Sequence, residues 1–293
     1  MSAAIQPITP ELRTWIIEQA SAGVGADAVF KAMCDAGWNP DVAEDAMEQV
    51  LSEHLSALHD SRTQAAAAAA QPAQGVPLPE PALHDSPGTL DAGDREVTVL
   101  FAVKHPRIVV FGNLLSDEEC EALINDADPR MKRSLTVENK TGGEEINADR
   151  TSDGMFFTRG ETPIVARIEA RIARLLNWPL EYGEGLQVLH YRPGAEYKPH
   201  YDYFDPSQPG TPTILKRGGQ RVGTLVMYLN NPEAGGGTVF PDVQLEVAPR
   251  RGNAVFFSYA TPDPASKSLH GGTPVIRGEK WVATKWLREG EFK

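Results

Sequence analysis

The most informative stretch of this chain is Tyr197-Lys198-Pro199-His200-Tyr201-Asp202. On an extended strand, residues two apart point to the same face, so the side chains of His200 and Asp202 lie side by side. Taken alone, a His-x-Asp tripeptide is more typical of a polar strand edge. His270, far along the chain, changes that interpretation. Two imidazoles and one carboxylate on one face leave the opposite coordination positions open, which is typical of oxygen-activating non-haem iron(II) sites.

Lys280 follows His270 closely in the sequence. An ammonium group that points into a β-barrel is unfavourable unless it meets an anion. If Lys280 begins the strand after the turn at Gly278, it lies further inside the barrel than the metal. A dicarboxylic acid that binds iron at one end would place its far carboxylate there, and 2-oxoglutarate fits this pattern. The alternative is a solvated hairpin lysine, which is the commoner position for any lysine taken alone.

The composition limits the class of protein. Of 293 residues, 41% are hydrophobic and 23% are charged, which predicts a globular core. The net charge of −12 disfavours a nucleic-acid partner. No apolar run approaches the ~20 residues that span a bilayer, and residues 1–10 do not resemble a secretory signal. With only Cys34 and Cys120 there is no cysteine framework. The chain is therefore predicted to be cytoplasmic, without a membrane or nucleic-acid partner.

Residues 1–60 are predicted to form a small bundle of three helices. Thr9-Pro10-Glu11 is a helix start, a second periodic run covers Ala26–Ala36, and a third helix begins after Asn39-Pro40. The bundle loosely resembles ubiquitin-associated bundles, so it is a possible interaction module whose partner is unknown. Residues 61–95 are rich in alanine, proline and small polar residues, and this composition predicts a linker.

Residues 96–293 are predicted to be mainly β. Short segments rich in Val, Tyr, Phe, Thr and Trp predict strands at Arg107–Phe111, Gly185–Tyr191, Arg221–Asn230, Gln244–Val247, Asn253–Tyr259 and Lys280–Leu287. Two helices are expected, one from Ser116 with a capping box and one from Thr162-Pro163. Many antiparallel strands with flanking helices predict a double-stranded β-helix, or jelly roll. The pattern lacks the βαβ alternation and phosphate loop of nucleotide-binding folds.

These residues resemble a known family, the iron(II)- and 2-oxoglutarate-dependent dioxygenases of the procollagen-type prolyl 4-hydroxylase kind. The similarity covers about residues 107–288. Its motifs occur in the family's order: Leu115-Ser116-Asp117-Glu118-Glu119-Cys120, Arg150-Thr151-Ser152, Pro199-His200-Tyr201-Asp202, Gly219-Gln220-Arg221, Ser268-Leu269-His270, Lys280-Trp281 and Lys285-Trp286.

The resemblance implies a role for each matched residue. Three match the iron ligands: His200, Asp202 and His270. Three match the residues that hold the far carboxylate of 2-oxoglutarate: Lys280, Tyr191 and Thr224. Five match positions that line the substrate groove: Tyr197, Trp286, Arg150, Ser152 and Glu184. Residues 203–220 match a mobile loop that closes over the peptide, and Arg288 stands where related enzymes often have histidine.

The resemblance implies iron(II)- and 2-oxoglutarate-dependent hydroxylation of a peptidyl proline at C4 in a protein substrate. Succinate and CO2 are the expected co-products, and L-ascorbate is expected as a further cofactor. Two alternatives stay open. The same chemistry could act on another residue or on a small molecule, or the barrel could be a metal-binding scaffold whose N-terminal bundle mediates protein interaction. The intact set of Lys280, Tyr191 and Thr224 argues against a scaffold, because an inactive site has no need of a dicarboxylate pocket.

Overall fold

The computed structural model describes residues 7–69, 78–134, 136–137, 144–145 and 150–293. The chain divides into two units, Met1–Ala73 and Gln74–Lys293. Within the described ranges, we find no helix with both the length and the apolar character of a membrane span.

The first unit is built from three helices, α1 (Pro10–Ser21), α2 (Ala26–Asp35) and α3 (Pro40–Ala69), which confirms the predicted helical segment. The Thr9 hydroxyl accepts the Leu12 backbone N–H and so caps α1. Seven side chains form the core of this unit: Ile16, Val29, Met33, Ala43, Ala46, Met47 and Val50. Helix α3 continues beyond the predicted boundary at residue 60, because its alanines have high helix propensity.

The second unit is mainly β. Its described helices are α4 (Asp117–Ala127), α5 (Pro163–Leu175) and the short α6 (Thr211–Leu215). Its described strands are, in chain order, β1 (Thr89–Asp91), β2 (Glu96–Val103), β3 (Arg107–Gly112), β4 (Lys132–Arg133), β5 (Thr136–Val137), β6 (Glu144–Glu145), β7 (Asp153–Phe157), β8 (Leu186–Tyr191), β9 (Tyr197–His200), β10 (Arg221–Tyr228), β11 (Ala234–Gly235), β12 (Thr238–Phe240), β13 (Leu245–Val247), β14 (Ala254–Ser258), β15 (His270–Gly272), β16 (Val275–Arg277) and β17 (Lys280–Arg288).

These strands form two main antiparallel sheets. The larger has the order β1-β2-β3-β14-β10-β17-β8-β7-β4, and the smaller has the order β13-β12-β15-β9. Strands β11 and β16 pair separately, as do β5 and β6. One face of the large sheet packs on α4 and α5, and its other face shares a core with the small sheet. This confirms the predicted jelly roll with flanking helices, whose inner face carries the candidate site.

The segment from residue 78 to 95 differs from the predicted linker. Strand β1 pairs with β2, with Leu90 opposite Val97. Leu78, Leu83 and Ala92 pack in or against the main core. Isolated apolar residues among prolines are enough to dock this segment, and composition alone does not show it. Residues 70–77 of the predicted linker lie outside the described residues.

A buried arginine, Arg171 of α5, joins this segment to the helices. Its guanidinium donates to the Asp94 carboxylate at 2.6 Å and to the Glu119 carboxylate at 2.7 Å. Glu119 also closes the predicted capping box, because its carboxylate accepts the Ser116 N–H and its own N–H donates to the Ser116 hydroxyl. Arg171 therefore fixes both helices against the back of the large sheet.

Candidate active site

The two histidines of the predicted metal group meet across a pair of strands. His200 ends β9 and His270 begins β15, and the antiparallel register places them opposite each other. Asp202 follows two residues after His200, and its carboxylate oxygens lie 3.5 Å from His200 Nε2 and 3.4 Å from His270 Nε2. A Cβ atom at Gly271 would lie 2.8 Å from the Tyr197 carbonyl oxygen, so glycine is needed where these strands pass closely. Each of the three residues offers one possible metal-ligand atom, and these three atoms lie within 4.8 Å of one another.

Hydrogen bonds to the backbone set the direction of both imidazoles. His200 Nδ1 lies 2.8 Å from the Lys198 carbonyl oxygen, and His270 Nδ1 lies 3.0 Å from that of Ser268. Because a carbonyl only accepts, each Nδ1 carries the proton and each Nε2 lone pair faces Asp202. Burial and the neighbouring His270 lower the pKa of His200, which favours the neutral, metal-binding form. This set of two nitrogens and one carboxylate fits iron(II).

The inner end of the cavity carries Lys280 and Tyr191. They lie opposite each other on β17 and β8, and the Lys280 ammonium is 5.4 Å from the centroid of the Tyr191 ring. Lys280 is only 4% exposed, and among the described residues we find no carboxylate within ion-pair distance of it. Burial lowers the pKa of Lys280 to about 8. An ammonium held among aromatic rings without an anion is suited to bind the far carboxylate of a dicarboxylic acid.

Thr238 is a cavity residue that the sequence reasoning missed. It lies on β12, lines the cavity and is buried. The Tyr228 hydroxyl donates to Thr238 Oγ1 at 2.8 Å, so the Thr238 hydroxyl proton is left for an acceptor in the cavity. The sequence signal for it is weak, because Thr238 merely follows Gly235-Gly236-Gly237, and a run of glycines marks a turn rather than a ligand site.

The outer end of the cavity is lined by three of the five predicted groove residues, Tyr197, Trp286 and Arg150. The Tyr197 ring stacks on His200 with 3.6 Å between centroids, and the Arg150 guanidinium lies 5.0 Å from the Tyr197 centroid. The buried Trp286 indole N–H has no hydrogen-bond partner among the described residues. Tyr197, Trp286 and Arg150 therefore form an aromatic and cationic wall at this end of the cavity.

Comparison with known proteins agrees with this geometry. Residues 186–288 match the sequence model of the 2OG-Fe(II) oxygenase superfamily. "Probable prolyl 4-hydroxylase 3" of Arabidopsis thaliana is 43% identical over 233 residues, which cover 72% of this chain and 79% of that protein. The chain belongs to the prolyl 4-hydroxylase family of 2-oxoglutarate-dependent dioxygenases.

Further matches carry similar names. "Prolyl 4-hydroxylase 5" of Arabidopsis thaliana is 43% identical over 222 residues, covering 69% of this chain and 74% of that protein. Among solved structures, the viral collagen prolyl hydroxylase of Paramecium Bursaria Chlorella virus-1, in its 2OG complex, is 31% identical with a TM-score of 0.47. That match covers 62% of this chain and 95% of the viral chain.

The structure gives Thr224 a different position from the one predicted for this dioxygenase. Its hydroxyl donates to Asp202 Oδ2 at 2.7 Å and lies 3.0 Å from the Tyr259 hydroxyl. Because an ionised carboxylate only accepts, Thr224 donates to Asp202 and Tyr259 donates to Thr224. Burial, reinforced by Asp202, raises the pKa of Tyr259 well above its usual value, so that hydroxyl keeps its proton. Thr224 therefore orients a metal ligand and does not share the Lys280 end of the cavity.

Two predicted groove residues of the dioxygenase, Ser152 and Glu184, do not line the cavity. Ser152 is fully buried, and its hydroxyl pairs with that of Ser134 at 3.0 Å. The Glu184 carboxylate lies 2.7 Å from Arg221 Nε and 2.8 Å from Arg288 Nε. Burial opposes ionisation of Glu184, but Arg221 and then Arg288 hold its pKa below the usual value. The arginine at position 288 thus forms part of an internal ion cluster.

The predicted loop 203–220 is tied together at its base. The Gln220 side chain accepts the Phe204 N–H at 2.8 Å and donates to the Phe204 carbonyl at 2.7 Å. The Phe204 ring also lies 4.8 Å from the guanidinium carbons of both Arg221 and Arg288. Both ends of the loop therefore meet the cluster around Glu184.

Proposed function

We propose that this dioxygenase hydroxylates peptidyl proline at C4 in a protein substrate, with iron(II) as its metal and 2-oxoglutarate as its cosubstrate, and releases succinate and CO2. The observation that carries the proposal is Lys280, a buried ammonium that has no carboxylate partner among the described residues and lies in the cavity that also holds the His200, Asp202 and His270 group. The names of the similar plant proteins support proline as the target residue.

Different side chains along the cavity would bind the metal and the cosubstrate. The three ligands would hold the metal, and Thr224 keeps the Asp202 carboxylate in a fixed orientation. Lys280, with the Thr238 hydroxyl beside it in the cavity wall, would bind and orient the far carboxylate of 2-oxoglutarate. When bound, the metal and cosubstrate supply, with dioxygen, the oxidising chemistry that replaces a C–H hydrogen by hydroxyl.

The outer cavity suits a proline-containing peptide. The Tyr197 and Trp286 rings offer flat apolar surfaces on the cavity wall. Proline-rich segments adopt an extended helix before binding, so little ordering entropy is lost when they dock on aromatic grooves. A peptide array with each residue type at the centre separates proline from the alternative targets.

The proposal is tested with purified protein, iron(II), ascorbate, 2-oxoglutarate and a proline-rich peptide. We expect succinate release together with a peptide mass gain of one oxygen atom. The variant His200→Ala should lose both, while the matched control His84→Ala, whose side chain is 78% exposed, should keep both. Succinate release that persists in His200→Ala, or that does not depend on iron, would contradict the assignment.

Three expectations from the sequence stay predictions. They are the use of ascorbate, the cytoplasmic location and the role of the helical bundle as an interaction module. Hydroxylation of a short peptide and of whole cell lysate, compared for the full chain and for a chain lacking residues 1–73, separates recruitment by the bundle from catalysis.

A further inference from the structure

The cavity wall formed by the large sheet continues one strand beyond the residues described so far. Side chains that point to one face alternate along each strand. On β17 the cavity-facing residues are Lys280, Val282, Thr284 and Trp286. The register of β8 places Gln187 opposite Thr284, and the register of β7 places Phe156 opposite Gln187. Phe156 therefore lies on the cavity face of the sheet, at its outer margin.

Phe156 is exposed where its neighbours on β7 are buried. Its exposed fraction is 47%, whereas Met155 and Phe157 belong to the core on the helix side of the sheet. The Phe156 ring lies 6.3 Å from the Trp286 ring, with 35° between their planes. Among the large hydrophobic side chains that the described residues expose, Phe156 is the one with a ring contact to the cavity wall. It thus extends the aromatic surface of the cavity into solvent.

An extended aromatic surface next to a proline-binding cavity fits a particular ligand chemistry. A polyproline II helix rises ~3.1 Å per residue, so the 6.3 Å between the Trp286 and Phe156 rings corresponds to about two residues of such a peptide. Prolyl rings pack well on aromatic faces, and aromatic-lined grooves recognise proline-rich segments in this way. The Gln187 side chain, opposite Phe156 on the neighbouring strand, accepts a hydrogen bond from Arg150 at 2.8 Å, so the residue next to Phe156 is held in place.

We propose that Phe156 binds a second proline of the substrate, about two residues beyond the residue that packs on Trp286. This inference rests on the proposed function and assigns to Phe156 a part in choosing among proline-containing segments. Phe156 is then a specificity-determining residue, because it contacts the substrate outside the reacting position.

Two ten-residue peptides test the inference. One contains a single central proline, and the other contains further prolines two and three positions to each side. The variants are Phe156→Ala and the matched control Phe101→Ala, which removes another exposed phenylalanine (39%) from β2, near the opposite end of the large sheet. Thermal unfolding checks that each variant is folded.

For the proline-clustered peptide, we expect Phe156→Ala to raise KM about fivefold with kcat unchanged, the size of effect typical of losing one aromatic contact. The KM for the single-proline peptide should not change, Phe101→Ala should match the wild type, and Phe156→Tyr should restore the preference. Equal effects of Phe156→Ala on both peptides, or no effect on either, would overturn the inference while leaving proline hydroxylation in place.

Binding without turnover separates this inference from the function on which it rests. Fluorescence anisotropy of both labelled peptides is measured on the iron(II)- and 2-oxoglutarate-loaded enzyme in the absence of dioxygen. A Phe156-dependent preference for the clustered peptide supports the subsite even if the aerobic enzyme hydroxylates neither peptide, in which case the proposed function fails. If neither peptide binds, or both bind equally to all variants, the subsite is rejected.

Discussion

Strand β17 carries two buried lysines, Lys285 and Lys280, whose charged groups have different surroundings. Lys285 is 2% exposed and donates to the Glu169 carboxylate and to the Glu184 carbonyl. Lys280 is 4% exposed on the cavity side, where its neighbours are aromatic rings. Burial lowers the pKa of both lysines, and Glu169 opposes this effect only at Lys285. A buried lysine that pairs with a carboxylate of the protein, such as Lys285, has a structural role. A buried lysine without such a partner, such as Lys280, is suited to bind an anionic ligand.

The largest effect is expected on stability, at Lys285. Lys285→Met leaves the buried Glu169 carboxylate without its cation, and breaking such a pair costs about 3–5 kcal/mol. Chemical denaturation should show this loss in the free energy of unfolding. The double variant Lys285→Met with Glu169→Leu should recover most of it, because an apolar pair can replace a buried ion pair. A single variant as stable as the wild type would contradict a structural role for Lys285.

The next effect is expected on cosubstrate binding, at Lys280. Lys280→Met removes the only cation proposed for the far carboxylate of 2-oxoglutarate, so we expect the KM for 2-oxoglutarate to rise about 100-fold. The free energy of unfolding should be unchanged or higher, because a buried ammonium without an anion is removed. Both variants should be assayed for stability by denaturation and for 2-oxoglutarate binding by calorimetry. We expect Lys285→Met to lose stability and Lys280→Met to lose 2-oxoglutarate binding. If Lys280→Met lost as much stability as Lys285→Met, the distinction between a ligand-binding and a structural lysine would be contradicted.

The smallest effect is a pH dependence confined to Lys280. Its pKa of about 8 in the folded, ligand-free enzyme lies below the ordinary 10.5. Binding of a carboxylate needs the charged form, so the affinity for 2-oxoglutarate should fall above pH 8 and be about tenfold lower at pH 9. Between pH 8 and 10.5 the unfolded chain binds more protons at this residue, so the stability of the ligand-free enzyme should rise with pH. Calorimetric titrations, for binding, and chemical denaturation, for stability, should each be run at several pH values and should show neither trend in Lys280→Met.

The cavity residues that sequence could predict are those fixed by strand geometry. The spacing of His200 and Asp202 places both on one side, and a third ligand such as His270 completes a recognisable chemical set. Lys280 is recognisable because a lysine inside a barrel needs an anion. The pairing of Lys280 with Tyr191 came from the family resemblance, and the register of β17 with β8 agrees with it.

The residues that sequence placed wrongly depend on partners far along the chain. Thr224 has the right residue type for a cosubstrate ligand, but Asp202 takes its hydroxyl proton. Glu184 is held by two arginines from other strands, and neither contact follows from its local sequence. The docking of β1 was missed for a similar reason, since a three-residue strand gains its stability from pairing with β2.

The position of Phe204 between two guanidinium groups bears on how this protein can diversify. Both cations are held by the one carboxylate of Glu184, which is absent from the cavity wall. A substitution at position 184 would loosen the base of the 203–220 loop and leave two buried cations without their anion. Because Arg221 also donates to the Asp202 carbonyl oxygen, drift at this single acidic residue would disturb the loop and a metal ligand together.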